Sequence, residues 1–180
     1  MTALLETEEI NKHELSVDQS WSFRQPELVD GQSIHKLIAN CPPLDENSSY
    51  CNFLQTGHFT KTCLMAEKDG VLAGFISGYR KPETPSTLFV WQVAVNPDFR
   101  GQGLAFQMLK QLLGQAHLHD ISRVETTITK DNQGSWRLFE KLDKLHGQQG
   151  KVTTFLDQKK HFKGLHDTEY LYQIPLKPSH

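Results

Sequence analysis

Long apolar runs are missing from this chain. No stretch of 18 consecutive apolar residues occurs, so no segment is expected to cross a bilayer. A dominant charge is missing as well: 19 Lys and Arg stand against 21 Asp and Glu, a net charge of −2. That balance gives no electrostatic footing for nucleic acid or an anionic membrane surface. Cysteine is scarce. Cys41, Cys51 and Cys63 make an odd count with no Cys-x-x-Cys pair. A disulfide framework is therefore not expected, and reduced thiols packed as small hydrophobes in the cytoplasm are. The nine histidines show no ligand spacing, so no metal site is expected. Residues 1–20 lack the basic and apolar blocks of a secretory signal; their polar composition predicts a mobile tail. Internal repeats and low-complexity tracts are absent from the sequence.

Strand and helix signals then alternate over residues 21–178, which predicts one α+β domain. A strand is expected at 21–28. A helix capped by Asp30 should run to about residue 40, with Ile34, Leu37 and Ile38 on one face. A second helix should end near His58. Apolar runs at 62–67 and 71–79 flank Asp69-Gly70, a hairpin signal. Pro82 and Pro85 place residues 81–86 in a loop, because proline cannot donate to a ladder. Helices are expected at 104–116 and 132–145, with strands at 88–95, 123–129, 152–156 and 170–176. The loop at 158–167 is basic and contains histidine.

The densest information lies in Leu88-Phe-Val-Trp-Gln-Val-Ala-Val-Asn-Pro97 and the Arg100-Gly-Gln-Gly-Leu-Ala105 that follows it. A strand, a bare-backbone loop and a helix start come in that order. Glycines let a phosphate approach the main chain, and the first amides of the helix are unpaired at its positive end. Taken alone, the loop reads equally well as a tight turn. The dinucleotide fingerprint fails at Phe106, where a third glycine belongs, and no Gly-Lys-Ser/Thr follows for a phosphate loop.

The pattern R/Q-x-x-G-x-G/A does fit, as Arg100, Gly103 and Ala105. With Val-Ala-Val-Asn-Pro before it and Asn132 opening a helix after the strand at 123–129, the chain resembles the GNAT superfamily of N-acetyltransferases. The resemblance runs over residues 21–176. It implies a GNAT fold: a mixed, mostly antiparallel twisted sheet flanked by helices, with a bulged central strand splayed from its neighbour. It implies acetyl-CoA as co-substrate and no metal. The diphosphate would lie on the amides of Gly101, Gln102, Gly103, Leu104 and Ala105 beside Arg100, and the pantetheine along Val93, Ala94 and Val95. An amide of that strand would be the oxyanion donor, and Asn132 a coenzyme contact. Many members carry a Tyr seven residues after that Asn as the acid. Here Phe139 occupies the position; it cannot donate a proton and is expected in the core or as a wall of the coenzyme slot.

Three further strings narrow the resemblance: Leu44-Asp45-Glu-Asn47-Ser48-Ser49-Tyr50, Thr87-Leu-Phe-Val-Trp91-Gln92 and Gly164-Leu-His166-Asp167-Thr-Glu169. Together they resemble the diaminobutyrate acetyltransferases of ectoine biosynthesis, over residues 23–174. This implies direct acetyl transfer, without an acyl-enzyme, to the γ-amine of L-2,4-diaminobutyrate by a cytoplasmic homodimer. Such an acceptor carries two amines and a carboxylate. Asp45 is expected to hold an ammonium, with a helix cap at Asp45 or Asn47 as the alternative. Asn47, Ser49, Tyr50 and Trp91 complete the expected acceptor site. Trp91 would cover the methylene chain or an ammonium, or simply pack in the core. Tyr50 would bind substrate, relay a proton, or play a structural part. His166 and Glu169 would relay the amine's proton, against the alternative of solvated loop residues. Transfer to another small amine, or a coenzyme-binding module without catalysis, stays open on the residues alone.

Overall fold

The structure, a computed structural model, describes residues 21–177, so the N-terminal tail at 1–20 lies outside the described residues. Seven strands form one sheet: β1 Ser22–Arg24, β2 Leu64–Lys68, β3 Val71–Lys81, β4 Thr84–Val95, β5 Arg123–Thr129, β6 Lys151–Leu156 and β7 Glu169–Pro175. Their order is β1-β2-β3-β4-β5-β7-β6. Every neighbouring pair is antiparallel except β4 with β5.

Four helices cover the sheet: α1 Gly31–Ala39, α2 Ser49–His58, α3 Leu104–Leu113 and α4 Gln133–Leu145. Strand alternation divides their work. Leu64 and Ala66 of β2 join the larger core, with Met108, Leu109 and Leu112 of α3 and Leu138, Phe139 and Leu142 of α4. Met65, between them, faces the opposite way and packs with Phe75 against Ile34, Leu37 and Ile38 of α1. Each fully buried aliphatic side chain contributes about 1.5–3 kcal/mol, so the larger core carries most of the stability.

The β2–β3 hairpin forms as expected. Asp69 and Gly70 both have positive φ, 51° and 75°, the signature of a tight turn whose twist matches the strands. Other expectations are corrected by hydrogen bonding. The first strand ends at Arg24, whose guanidinium is held by Asp30 at 2.7 Å and by Glu67 at 2.8 Å. Asp30 also accepts from the Glu27 amide and makes no side-chain cap on α1. Helix α2 is capped by Ser48, which accepts from the Cys51 amide, and not by Asp45 or Asn47. The expected loop at 81–86 shrinks to Pro82-Glu83. Pro85 lies inside β4, where the register slips between Arg80 and Lys81 and no ladder donor is needed at that residue.

The feature that builds the site is in β4. Gly78 pairs with Val90 and Ser77 with Gln92, so Trp91 is the extra residue of a bulge. On the other side, β4 pairs with β5 only at Thr87, Leu88 and Phe89. Beyond Phe89 the two parallel strands part, and β5 turns its other edge to β7. The bulge and the splay expected of the central strand are both present.

Candidate active site

Two cavities meet at the gap between β4 and β5, sharing Pro43, Leu44 and Asn132 in their walls. The first is a cleft of about 600 Å³. Val93 and Val95 of β4 form one wall, and Arg100, Gly101, Gly103, Leu104 and Ala105 form its end. Gly101 and Gly103 have φ of 77° and 76°, and Gly103 is the N-cap of α3. The first helical bond runs from the Gln107 amide to the Gly103 carbonyl, which leaves the amides of Leu104, Ala105 and Phe106 without helical partners. Arg100 reaches back to donate to the Val95 carbonyl at 3.2 Å, so its cation is fixed at the cleft's edge.

A second helix start faces the same cleft. Asn132 caps α4 by accepting from the Ser135 amide at 3.1 Å, and Gln133, Gly134, Ser135 and Arg137 line the wall beyond it. Sequence reasoning singled out Asn132 and missed this first turn, although the same amide argument applies to both helices. Two helix N-termini and two arginines, with Asp131 as the single acid among the described lining residues, make a site suited to a polyanion. Two expected coenzyme residues contribute less. Ala94 is fully buried against α1, as alternation demands between Val93 and Val95, so only its main chain is on offer. Gln102 is not among the lining residues.

The second cavity, about 350 Å³, brings together Asp45, Asn47, Trp91, His166 and Glu169, five residues chosen from sequence. The bulge explains how Trp91 and Gln92, consecutive on one strand, both line it. Thr127 and Thr129 of β5, with Phe162 of the basic loop, complete the wall. Phe162 stacks edge-on with His166 at 5.2 Å. Nothing in the local sequence around Phe162 distinguishes it from a solvated loop aromatic. Three carboxylates, Asp45, Asp167 and Glu169, converge here. The Glu169 carboxyl titrates above its usual range. Burial is the largest cause, and the nearby Asp45 and Asp167 charges add to it, while a hydrogen bond from Thr127 works against it. Among the described residues no group of three or more His, Cys, Asp or Glu could hold a metal ion.

Ser49 and Tyr50 line neither cavity. The buried face of α2 carries Asn52, Gln55 and Thr56. Tyr50 is about half a turn away from that face and is 69 % exposed. Phe139 is 1 % exposed within the larger core and borders neither cavity, so it is core and not a wall of the slot.

Residues 31–143 match the model of the acetyltransferase (GNAT) family. The chain is 62 % identical over 159 residues to the L-2,4-diaminobutyric acid acetyltransferase of Vibrio parahaemolyticus, covering 88 % of each. It is 63 % identical to the Vibrio cholerae enzyme of the same name, covering 88 % of this chain and 92 % of that one. Its structure superposes with a TM-score of 0.83 on the diaminobutyrate acetyltransferase of Paenibacillus lautus in complex with L-2,4-diaminobutyric acid and coenzyme A. That relative is 38 % identical, and the match covers 87 % of this chain and 95 % of the other.

Proposed function

Since the chain belongs to the GNAT acetyltransferases and, within them, to the diaminobutyrate acetyltransferases, we propose that it moves the acetyl group of acetyl-CoA onto the γ-amine of L-2,4-diaminobutyrate, a step toward ectoine. One observation carries this reading. A cleft suited to a polyanion opens at Asn132, Pro43 and Leu44 into a smaller cavity bearing three carboxylates, suited to a small molecule with two ammonium groups.

The chemistry follows from what each wall can do. The amides of residues 103–106 and the Arg100 cation take the diphosphate, and the first turn of α4 with Arg137 supports the rest of the nucleotide. The pantetheine runs along β4 beyond Phe89, where main-chain groups facing β5 lack a strand partner. A thioester carbonyl placed there accepts from an amide near Val93–Val95 as its oxygen turns anionic. Asp45 and Asp167 hold the α-ammonium, and Asn47 supplies a donor to the carboxylate. Glu169 takes the proton of the γ-ammonium. Its raised pKa brings it nearer to that of an amine, which makes the transfer less uphill. The amine then attacks directly and the thiolate leaves. Among the described residues no tyrosine lines either cavity, so the thiolate takes its proton from the amine or from water. His166, stacked on Phe162, roofs the acceptor.

The proposed assembly adds a second copy of the chain, paired at the open end of the sheet. β6 is an edge strand with Val152 47 % and Phe155 51 % exposed. An apolar edge of this kind favours strand-to-strand or face-to-face pairing over life as a monomer. Acetyl-CoA supply supports a cytoplasmic location. Free-thiol release from acetyl-CoA with a panel of amines tests the reaction. Turnover with diaminobutyrate and none with spermidine is expected. Turnover with other amines alone would reassign the acceptor, and coenzyme binding without turnover would make the chain a non-catalytic module. Sedimentation at micromolar concentration tests the dimer.

A further inference from the structure

Gln92 is 6 % exposed and lines the acceptor cavity, and its Oε1 is a buried atom without a hydrogen-bond partner among the described residues. Its orientation is fixed by chemistry. Nε2 lies 2.7 Å from the Asp45 main-chain carbonyl, a distance that only a donor tolerates. Turning the amide over would set two acceptors against each other. Oε1 is therefore a buried acceptor, lacking an N–H, on a residue of the cavity wall. Proteins rarely leave such an atom unpaired, and where they do a catalytic role or a bound water or ion is a standard cause.

We infer that Gln92 Oε1 accepts a hydrogen bond from the amine that attacks the thioester, reached by a small rotation of the amide about the Asp45 anchor. Two observations select the reacting amine over the spectator. Gln92 lines the acceptor cavity and directly precedes Val93, which lines the coenzyme cleft, so along β4 it is the acceptor residue next to the coenzyme side. It is also neutral. Glu169 is neutral once it has taken the proton; a further carboxylate beside the attacking nitrogen would favour the charged ammonium and oppose attack, whereas an amide oxygen orients the neutral amine without that penalty. Division of labour follows: Asp45 and Asp167 hold the amine that stays charged, and Gln92 aims the one that does not. Gln92 also anchors the loop that carries Asp45, so one side chain sets the spacing between the two nitrogens.

The inference rests on the reading of the reaction above, and substrate analogues separate the two. Binding to the CoA-saturated protein is measured by calorimetry for L-2,4-diaminobutyrate and for L-2-aminobutyrate, which lacks the γ-nitrogen. Gln92→Met keeps the length of the side chain and removes the acceptor. It should weaken diaminobutyrate about tenfold more than aminobutyrate, the worth of one hydrogen bond, with CoA affinity unchanged. Equal losses for both ligands would mean that Gln92 only anchors the Asp45 loop, and would overturn the inference. So would no loss for either. If Gln92→Met fails to fold, Gln92→Asn retracts the oxygen by one methylene and should show the same selective loss. Wild-type protein that neither binds nor acetylates diaminobutyrate would sink the reaction itself.

Discussion

Gly103→Ala isolates the part of the site made of bare backbone, because the fold supplies a matched control. Gly103 has φ of 76° and a Cβ built on it meets nothing within 4 Å. Gly70, in the β2–β3 turn, has φ of 75° and equally open surroundings. An added methyl at either position therefore costs only the left-handed backbone, about 1–2 kcal/mol. For a chain of this size that lowers the melting temperature by about 2–8 °C at both sites. The two positions differ in what bound coenzyme does to the open space. At Gly103 a diphosphate fills it, so the methyl displaces the ligand from at least one amide.

Losing one hydrogen bond to a charged group costs about 1.5–3 kcal/mol, or roughly 10- to 150-fold in Kd. Calorimetric titration with CoA should show that loss for Gly103→Ala and wild-type affinity for Gly70→Ala. Thermal melts of both variants check that their stabilities fall together. If both bind CoA equally well, the loop before α3 does not hold the phosphates, and the assignment of the donor cleft is wrong. If both bind it poorly, the loss comes from the fold and not from the site.

Glu169→Gln should lower kcat by about 10²- to 10⁴-fold, the range for a removed general base. In the wild type, kcat/KM should rise with pH through the raised pKa of Glu169, since only the ionised carboxylate accepts a proton. That limb should vanish in the variant, whose deficit should narrow toward pH 10 as the amine deprotonates unaided. An unchanged pH profile would remove Glu169 from the proton path. Asp45→Ala should raise KM for diaminobutyrate about 10- to 100-fold through loss of a charge-assisted bond, with CoA affinity nearly intact; a loss confined to CoA would refute the acceptor assignment. Burial pushes the Cys63 thiol up to about 12, and Cys41 and Cys63 are both buried. Of the three thiols only Cys51 should react with a disulfide reagent at pH 8, all three after denaturation; prompt labelling of Cys63 in the native protein would contradict its burial in the smaller core with Ile34, Leu37 and Ile38.

Legibility from sequence followed the range of the interactions. The Asp69-Gly70 hairpin and the helix start after Gly103 depend on neighbours a few residues away, and the residue pattern is enough to place them. Asp30 misled because its cap role was lost to Arg24 and Glu27, and the bond from Arg24 depends on a chain path not visible locally. Pro85 misled for the related reason that a register slip can absorb a missing amide donor. The donor cleft was mostly legible because main-chain amides need no special side chain, only order and spacing. The acceptor cavity was less so. Asp45 from the loop before α2, Trp91 from β4 and Glu169 from β7 are far apart in sequence, and their selection rested on resemblance. Tyr50, two residues past the Ser48 cap, follows from helical phase once the cap is known, and the phase turns it outward.

Net charge was the least informative quantity of all, and the two cavities explain why. A value of −2 suggests a surface indifferent to cations. Within the site, charge is sorted: Arg100, Arg137 and two helix N-termini on the coenzyme side, Asp45, Asp167 and Glu169 on the acceptor side. The two sets cancel in the sum and act separately in space, because each faces its own cavity and screening lengths are only about 8 Å in physiological salt. On the proposed assignment each ligand would be drawn to its own end and repelled from the other. A polyanionic coenzyme is disfavoured among the carboxylates, and a diamine is disfavoured beside the arginines. The splay of β4 from β5 makes this separation possible, since it opens one sheet to both cavities at a single junction. The acyl carbon and the amine, on the same assignment, meet where the two sets of charges adjoin, at the junction lined by Pro43, Leu44 and Asn132.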